Sequence, residues 1–533
     1  MMGANREVDV AIVGAGFSGL YMLHKLRQQG LSAVVFERGN GVGGTWFWNR
    51  YPGARCDVES QDYSYSFSPE LEQEWEWTER YPAQPEILGY LNHVADRFDL
   101  RRSIELDTEV TAATFDEEAN RWSVTTGLGE TLRAKYVVMA TGCLSNGRVP
   151  DFDGMDSFAG EVYHTGSWPQ EGVDFTGKRV GVIGTGSSGI QAIPEIAAQS
   201  EHLTVFQRTP SFSVPARNAP LDPQFLQEVK ADYPRRREVA RRSPTGLPFL
   251  GNQALAMDVT EEERRDTYES LWGAGGFRIG GAFADLIVNQ EANDTLAAFI
   301  HSKIDEVVED PSIAEKLKPR DYPVSTKRIC VDSNYYATFN RKNVRLVDVR
   351  ESPIVGFDER GLKTQAAEYE FDAVVFATGF DAMTGALLGP EINGVNGVAL
   401  RDHWDAGPRT YLGLSTVGFP NLFIVAGPGS PSVLTNMVSA IEQHVEWISD
   451  HLAHVEELGL SRSEATLEAE DGWVEQVNGI ADMTLFSNAN SWYLGANVPG
   501  KPRVFMPYAG GFGAYRETCD AVAADGYRGF VLS

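Results

Sequence analysis

Two copies of one glycine pattern limit what this chain can fold into more than any other feature. Val8–Val13 is an apolar run followed at once by Gly14-Ala15-Gly16-Phe17-Ser18-Gly19, a helical pattern to about Gln29, and a second apolar run, Ala33–Phe36, that ends in Glu37. Lys178–Ile183 opens the second copy: Gly184-Thr185-Gly186-Ser187-Ser188-Gly189, a helical pattern to about Gln199, then Leu203–Phe206. Strand, G-x-G-x-x-G, helix, strand is the βαβ unit that cradles a dinucleotide pyrophosphate. Its glycines let backbone approach the phosphates, and the helix N-terminus adds partial positive charge. The expected fold class is α/β, with two Rossmann-like dinucleotide-binding domains.

The residues after each second strand separate the two nucleotides. Glu37 can accept hydrogen bonds from ribose hydroxyls, and the position of this unit near the N-terminus points to FAD. The second unit has Gln207-Arg208-Thr209 instead. An acid there would repel a 2′-phosphate, whereas Arg208 and Thr209 suit one, so NADPH is expected rather than NADH. Two further runs, VVMATG ending at Gly142 and VVFATG ending at Gly379, read as strands returning to the nucleotide sites. They divide the chain into 1–143 (FAD domain, first part), 144–380 (NADP domain) and 381–533 (FAD domain, second part). The polar, helical pattern over about 215–322 reads as a helical insertion in the NADP domain, its charge run Thr260–Arg265 a solvated face.

Composition narrows the partners. The 533 residues are 42% hydrophobic and 11% aromatic, enough for sizeable cores, with a formal net charge of −28. That surface repels polyanions, so no nucleic-acid partner is expected, and an anionic cofactor needs a local basic pocket. None of Cys56, Cys143, Cys330 and Cys519 forms a C-x-x-C pair, so neither a redox dithiol nor a metal cluster is expected. With no 18-residue apolar run and no long apolar leader, the expectation is a cytoplasmic protein without a membrane partner, a monomer or small homo-oligomer.

Three short stretches carry the chemistry. Gly43–Asp57 is a glycine- and aromatic-rich loop that can cover a flavin and end by placing the Asp57 carboxylate near the isoalloxazine. Phe158–Pro169, read as Phe-x-Gly-x-x-x-His-x-x-x-Trp-Pro, lies between the two glycine units. Phe158 and Trp168-Pro169 anchor a connector, Gly160 allows a tight path, and His164 is a movable hydrogen-bonding group. Thr326–Cys330 sets Lys327 beside Arg328 in an otherwise acidic chain, one able to face the 2′-phosphate and its neighbour the flavin.

In combination these stretches resemble the signatures of the type I Baeyer–Villiger monooxygenases. The resemblance covers nearly the whole chain, through Trp492–Gly500. Glu74-Trp75-Glu76-Trp77 and Gly427–Ser432 look most like the phenylacetone and steroid monooxygenase branch. The resemblance implies tightly bound FAD, NADPH as electron donor, and ketone plus O2 converted to ester or lactone through a flavin C4a-peroxide, with sulfoxidation as a side activity. It implies Arg328 as catalytic arginine and Asp57 as its carboxylate partner. FAD contacts are assigned to Gly14, Gly16, Phe17, Ser18, Gly19, Glu37, Gly44, Thr45, Trp46, Asp57, Tyr63, Val110 and Met437. NADP contacts are assigned to Arg55, Cys56, Asp57, Gly184, Thr185, Gly186, Ser187, Ser188, Gly189, Arg208, Thr209, Lys327, Arg328 and Trp492. Cys143, Leu144, Ser432, Val433, Leu434 and Met437 would border a hydrophobic ketone. Cys143 and Val433 depart from the pattern of aromatic-ketone members, so substrate range does not carry over. His164 and Trp168 would couple domain movement to catalysis.

Physical chemistry gives Arg328 a reason. A cation within ~4 Å of a developing anion, at an effective dielectric near 20, contributes roughly 4 kcal/mol, about three powers of ten in rate. Arginine keeps its proton at neutral pH. Two alternatives remain: a flavin monooxygenase acting on soft N or S nucleophiles, and a non-catalytic NADPH-binding sensor. The missing C-x-x-C argues against a disulfide reductase.

Overall fold

The computed structural model describes residues 6–533. From the N-terminus come β1 (Arg6–Val13), α1 (Phe17–Gln28), β2 (Ala33–Phe36), β3 (Ile104–Glu105), β4 (Val110–Asp116), β5 (Arg121–Thr126) and β6 (Thr131–Met139). The middle supplies β7 (Glu161–His164), β8 (Arg179–Ile183), α2 (Ser187–Gln199) and β9 (His202–Gln207). Helices α3 (Pro223–Arg242), α4 (Glu261–Ala274), α5 (Gln290–Val307) and α6 (Pro311–Leu317) follow, then β10 (Val344–Asp348) and β11 (Ala373–Phe376). The last third returns β12 (Glu391–Asn393) and β13 (Leu422–Ile424) to the first sheet and adds α7 (Met437–Glu457), α8 (Leu467–Asp482) and α9 (Phe512–Ala524).

The two large sheets repeat one plan. The first runs β12-β4-β5-β6-β1-β2-β3, with β13 pairing on β6. The second runs β10-β9-β8-β11-β7. In each, the strand before the glycine turn lies between the strand after the helix and the strand of the A-T-G turn, all parallel. Parallel strands covered on both faces carry apolar residues without alternation, and Val10-Ala11-Ile12 and Ala373–Phe376 are fully buried.

The A-T-G turns close onto the glycines. Gly14 has φ +103°, and a Cβ there would lie 2.7 Å from the Ala140 carbonyl oxygen. Gly184, at φ +111°, presses in the same way on Ala377, and a Cβ on Gly19 or Gly189 would overlap the carbonyl of Gly14 or Gly184. The first and third glycines of both units are therefore fixed by close backbone packing.

The polar stretch after β9 is helical, with helices running from Pro223 to Leu317. Each begins on a side-chain cap: Asp222, Thr260, Asn289 and Asp310. The charge run at Thr260 is a reciprocal capping box with Glu263 as well as a solvated surface. No described helix is long and apolar enough to cross a membrane.

Candidate active site

Arg328 and Asp57, 271 residues apart in sequence, form a two-pronged ion pair. Arg328 Nε donates to Asp57 Oδ2 at 3.1 Å and Nη2 to Oδ1 at 2.8 Å, while Nη1 donates to the Val433 carbonyl at 2.9 Å. The guanidinium lies over the Phe277 ring, 4.5 Å from its centroid. Burial opposes its charge, but Asp57, together with Tyr493 and Cys56, outweighs burial and raises its pKa further. Local structure fixes the arginine from both sides. Ser325 turns at φ +70°, and Cys330–Asp332 pairs in parallel with Ser213–Pro215.

The loop that delivers Asp57 crosses from the first glycine unit to the second. A Cβ on Gly44 (φ +52°) would lie 3.0 Å from Gly16 Cα, so the loop backbone rests on the first fingerprint. Thr45 and Trp46 open a single helical turn, and Trp46 Nε1 donates to Tyr63 Oη at 3.2 Å. The Tyr63 ring meets Phe17 edge-on at 5.3 Å, beside Ser18 and Gly19 in the first turn of α1. Further along, Tyr51 Oη donates to Gln191 Oε1 at 2.9 Å, and Gln191 Nε2 donates to the Arg55 carbonyl at 3.1 Å. Gln191 belongs to α2, so this loop ties the two sheets together. Arg55 Nη1 reaches Glu79 and the Tyr81 carbonyl, both at 2.9 Å. Cys56 is buried, and burial with neighbouring Asp57 pushes its thiol well up.

Glu37 is buried at the end of β2. Its Oε2 accepts from Ala15 N at 2.8 Å and its Oε1 from Gly39 N at 2.9 Å, so the carboxylate also shapes the glycine turn. Thr108 N donates to the Glu37 carbonyl at 2.8 Å, bringing Val110 at the start of β4 alongside. A cleft of about 600 Å³ opens here, lined by Arg38, Trp48, Asp107 and Glu109 and by the linker residues Ser145–Gly147.

On the second unit, Gly186, Ser187, Ser188 and Gly189 form the N-terminus of α2, and Ser187 Oγ lies 3.5 Å from Cys330 Sγ. Thr185 Oγ1 donates to the Thr209 carbonyl at 3.1 Å. Arg208 is exposed. Lys327 sits over the Tyr322 ring at 4.4 Å, and burial followed by the charge of Arg208 pushes its ammonium down to about 8. Lys327 and Arg328 point to different neighbours, Arg208 and Asp57.

Beside Arg328 lies one apolar cluster. Cys143 and Val433 are buried in it, Leu144, Leu434, Met437 and Trp492 pack against it, and Ser432 touches Met383 at 3.8 Å. Met437, the first residue of α7, also packs on the first-sheet core. The expected pocket residues, drawn from two distant stretches, therefore share one wall with Trp492.

The Phe158–Pro169 connector contains a short strand. Glu161–His164 is an edge strand, because its apolar and aromatic residues pair in parallel with Ala373–Phe376. His164 is correspondingly buried. Its Nδ1 accepts from Gly166 N at 3.0 Å, the ring abuts Gly147, and burial lowers its pKa. Phe158 packs on Phe357, and Gly160 fits where a Cβ would lie 2.8 Å from the Asp372 carbonyl. Trp168 N donates to the Trp48 carbonyl at 3.1 Å, which joins this stretch, just ahead of Pro169, to the Gly43–Asp57 loop.

Sequence reasoning missed Phe277, Gln191 and Tyr493. Phe277 follows Gly275-Gly276, both at positive φ, and that lone aromatic after two glycines was the available signal. Tyr493, whose hydroxyl burial raises to about 12 beside Arg328, adjoins Trp492. Nothing in the local pattern marks Gln191.

The family model for pyridine nucleotide-disulphide oxidoreductases matches residues 11–243. All four cysteines of this chain are buried and free. A Baeyer–Villiger monooxygenase of Pseudooceanicola batsensis is 45% identical over 98% of this chain and 96% of that protein. A phenazine N-monooxygenase of Lysobacter antibioticus is 42% identical over 98% and 97%. The solved structure of an oxidized steroid monooxygenase bound to NADP superposes with a TM-score of 0.95, at 55% identity and 99% coverage of both chains.

Proposed function

The chain belongs to the Baeyer–Villiger monooxygenases, and on that premise we propose that it uses FAD, NADPH and O2 to convert hydrophobic aryl-aliphatic, cyclic or steroid-like ketones to esters or lactones. The residues fit both cofactors. α1 and α2 begin at Gly16 and Gly186 with no side-chain cap and no acid in the first turn, leaving amides free for a pyrophosphate. Bound there, FAD and NADPH supply the electrons that activate O2.

The observation that carries the reading is the Arg328–Asp57 pair at the edge of an apolar wall. Asp57 orients the guanidinium, and Arg328 holds negative charge on the oxygen that adds to the ketone and on the carbonyl oxygen that becomes an oxyanion. Cys143, Leu144, Val433, Leu434 and Met437 give the ketone an apolar seat, and Trp492 closes the nicotinamide side against water. Arg208, Thr209 and Lys327 take the 2′-phosphate. The domain bounds 1–143, 144–380 and 381–533 follow the same reading, with His164 and Trp168 transmitting movement between domains. A cytoplasmic enzyme, monomeric or a small homo-oligomer, with sulfoxidation as a side activity, completes it.

A second reading is oxidation of a ring nitrogen, favoured by the similarity to the phenazine N-monooxygenase. Purified yellow protein with NADPH under air, given phenylacetone, cyclic ketones, a steroid ketone, a thioether and a phenazine, separates the two. Ester or lactone carrying one added oxygen supports the first reading. An N-oxide with no ester from any ketone supports the second.

A further inference from the structure

Behind the active site lies a buried charged node that none of the roles above uses. Arg236 and Arg237 project from α3, in the helical insertion. Arg236 Nη2 donates to both carboxylate oxygens of Asp62, at 2.9 and 2.8 Å. Arg237, itself buried, donates from Nε to Glu72 at 2.8 Å, from Nη2 to Ser64 Oγ at 2.8 Å, and from Nη1 to the Asp62 carbonyl at 3.4 Å. The same carbonyl accepts Asn436 Nδ2 at 2.7 Å.

Each arm ends one residue from the site. Asp62 precedes Tyr63, which braces Trp46 and Phe17. Asn436 precedes Met437 and follows the segment whose Val433 carbonyl accepts Arg328 Nη1. Asn436 also caps α7 through Val438 N and donates its own N–H to Thr245, in the turn just beyond α3, at 2.8 Å. One carbonyl oxygen, that of Asp62, thus joins three segments far apart in sequence: the insertion, the flavin-side aromatics and the pocket loop.

Buried ion pairs are weak contributors to stability because desolvation offsets their attraction; their best-attested use is to select one arrangement over others. We propose that Arg237, acting through the Asp62 carbonyl and Asn436, is a positioning residue that sets the pocket loop Ser432–Met437 against the flavin side, and so fixes which ketone carbon migrates and how much of the NADPH ends in product. The inference rests on the ketone-oxidising function proposed above.

Two variants test it without removing the cap or the charge. Asn436→Ser keeps a good helix cap on a side chain too short to reach Asp62. Arg237→Lys keeps the charge but cannot serve Glu72, Ser64 and Asp62 together. Both should bind FAD and be reduced by NADPH within twofold of wild type. Hydrogen peroxide released per NADPH should rise at least threefold, the ratio of the two esters from an unsymmetrical ketone should change at least twofold, and amide exchange over residues 432–437 should quicken. Wild-type coupling and ester ratio in both variants would overturn the proposal, as would flavin reduction falling in step with ester yield. If wild type itself oxidises no ketone, the functional reading fails instead; unchanged exchange over 432–437 would then still overturn the node.

Discussion

At the residue scale the account turns on two adjacent cations with different tasks. Arg328 is charged at every accessible pH and held by Asp57, Val433 and Phe277. Replacing it with Ala should lower ester formation by about three powers of ten, the rate equivalent of roughly 4 kcal/mol, while NADPH still reduces the flavin; a rapid-mixing trace beside product analysis checks this. Lys327 has a pKa near 8, because burial and Arg208 disfavour its charge. Its positive charge is present below that value and lost above it. For the free enzyme, kcat/KM for NADPH should therefore fall as pH rises past about 8, by about tenfold once the charge is gone. NADH, without the 2′-phosphate, should show no such fall, and Lys327→Arg should flatten the NADPH profile. Both cations were visible in sequence as an adjacent Lys-Arg pair in an otherwise acidic chain. Their division of labour was legible only through the resemblance, since nothing local says which side chain turns towards Arg208 and which towards Asp57.

At the element scale, regular periodicity explains what could be read in advance. Both βαβ units were legible because glycine spacing, an apolar strand and an amphipathic helix agree with one another. Phe158–Pro169 was not, because whether Val162 and Tyr163 form a strand depends on the edge of β11, more than two hundred residues away. Helix α7 carries a consequence of such distant packing. Glu442 is buried there, accepting from Ser66 N and Phe67 N at 2.6 and 3.1 Å and from Ser66 Oγ at 2.7 Å. Arg237 from α3 faces it across the node, and Glu446 adds a like charge on its own helix. Burial dominates and raises its pKa to about 7. A raised folded-state pKa contributes stability that is fully present below the unfolded value of about 4.5 and is lost as pH rises through about 7. Glu442→Gln, which keeps partners for Ser66 and Phe67, should thus be more stable than wild type at pH 8, on the order of 2 kcal/mol. The gain should vanish below pH 4.5; urea titrations at both pH values check it.

At the scale of the whole molecule, the proposed active site belongs to neither nucleotide unit alone. Asp57 comes from the first unit's loop, Arg328 from the strand entry after the insertion, and Val433 and Trp492 from the last quarter of the chain. Tyr51–Gln191–Arg55 and Trp168–Trp48 stitch the units together around them. The two-unit plan was visible from the glycines and A-T-G turns. The stitching was not, because single polar contacts such as Gln191 leave no periodic trace. The central claim is that this composite site places one atom of O2 into a ketone at the expense of NADPH. The most direct test is turnover with NADPH and a ketone under ¹⁸O2, following product mass and NADPH together. The account predicts one ¹⁸O in the ester or lactone for each NADPH consumed. Product without the label, or NADPH consumed with labelled hydrogen peroxide as the sole oxygen product for every ketone, would contradict it.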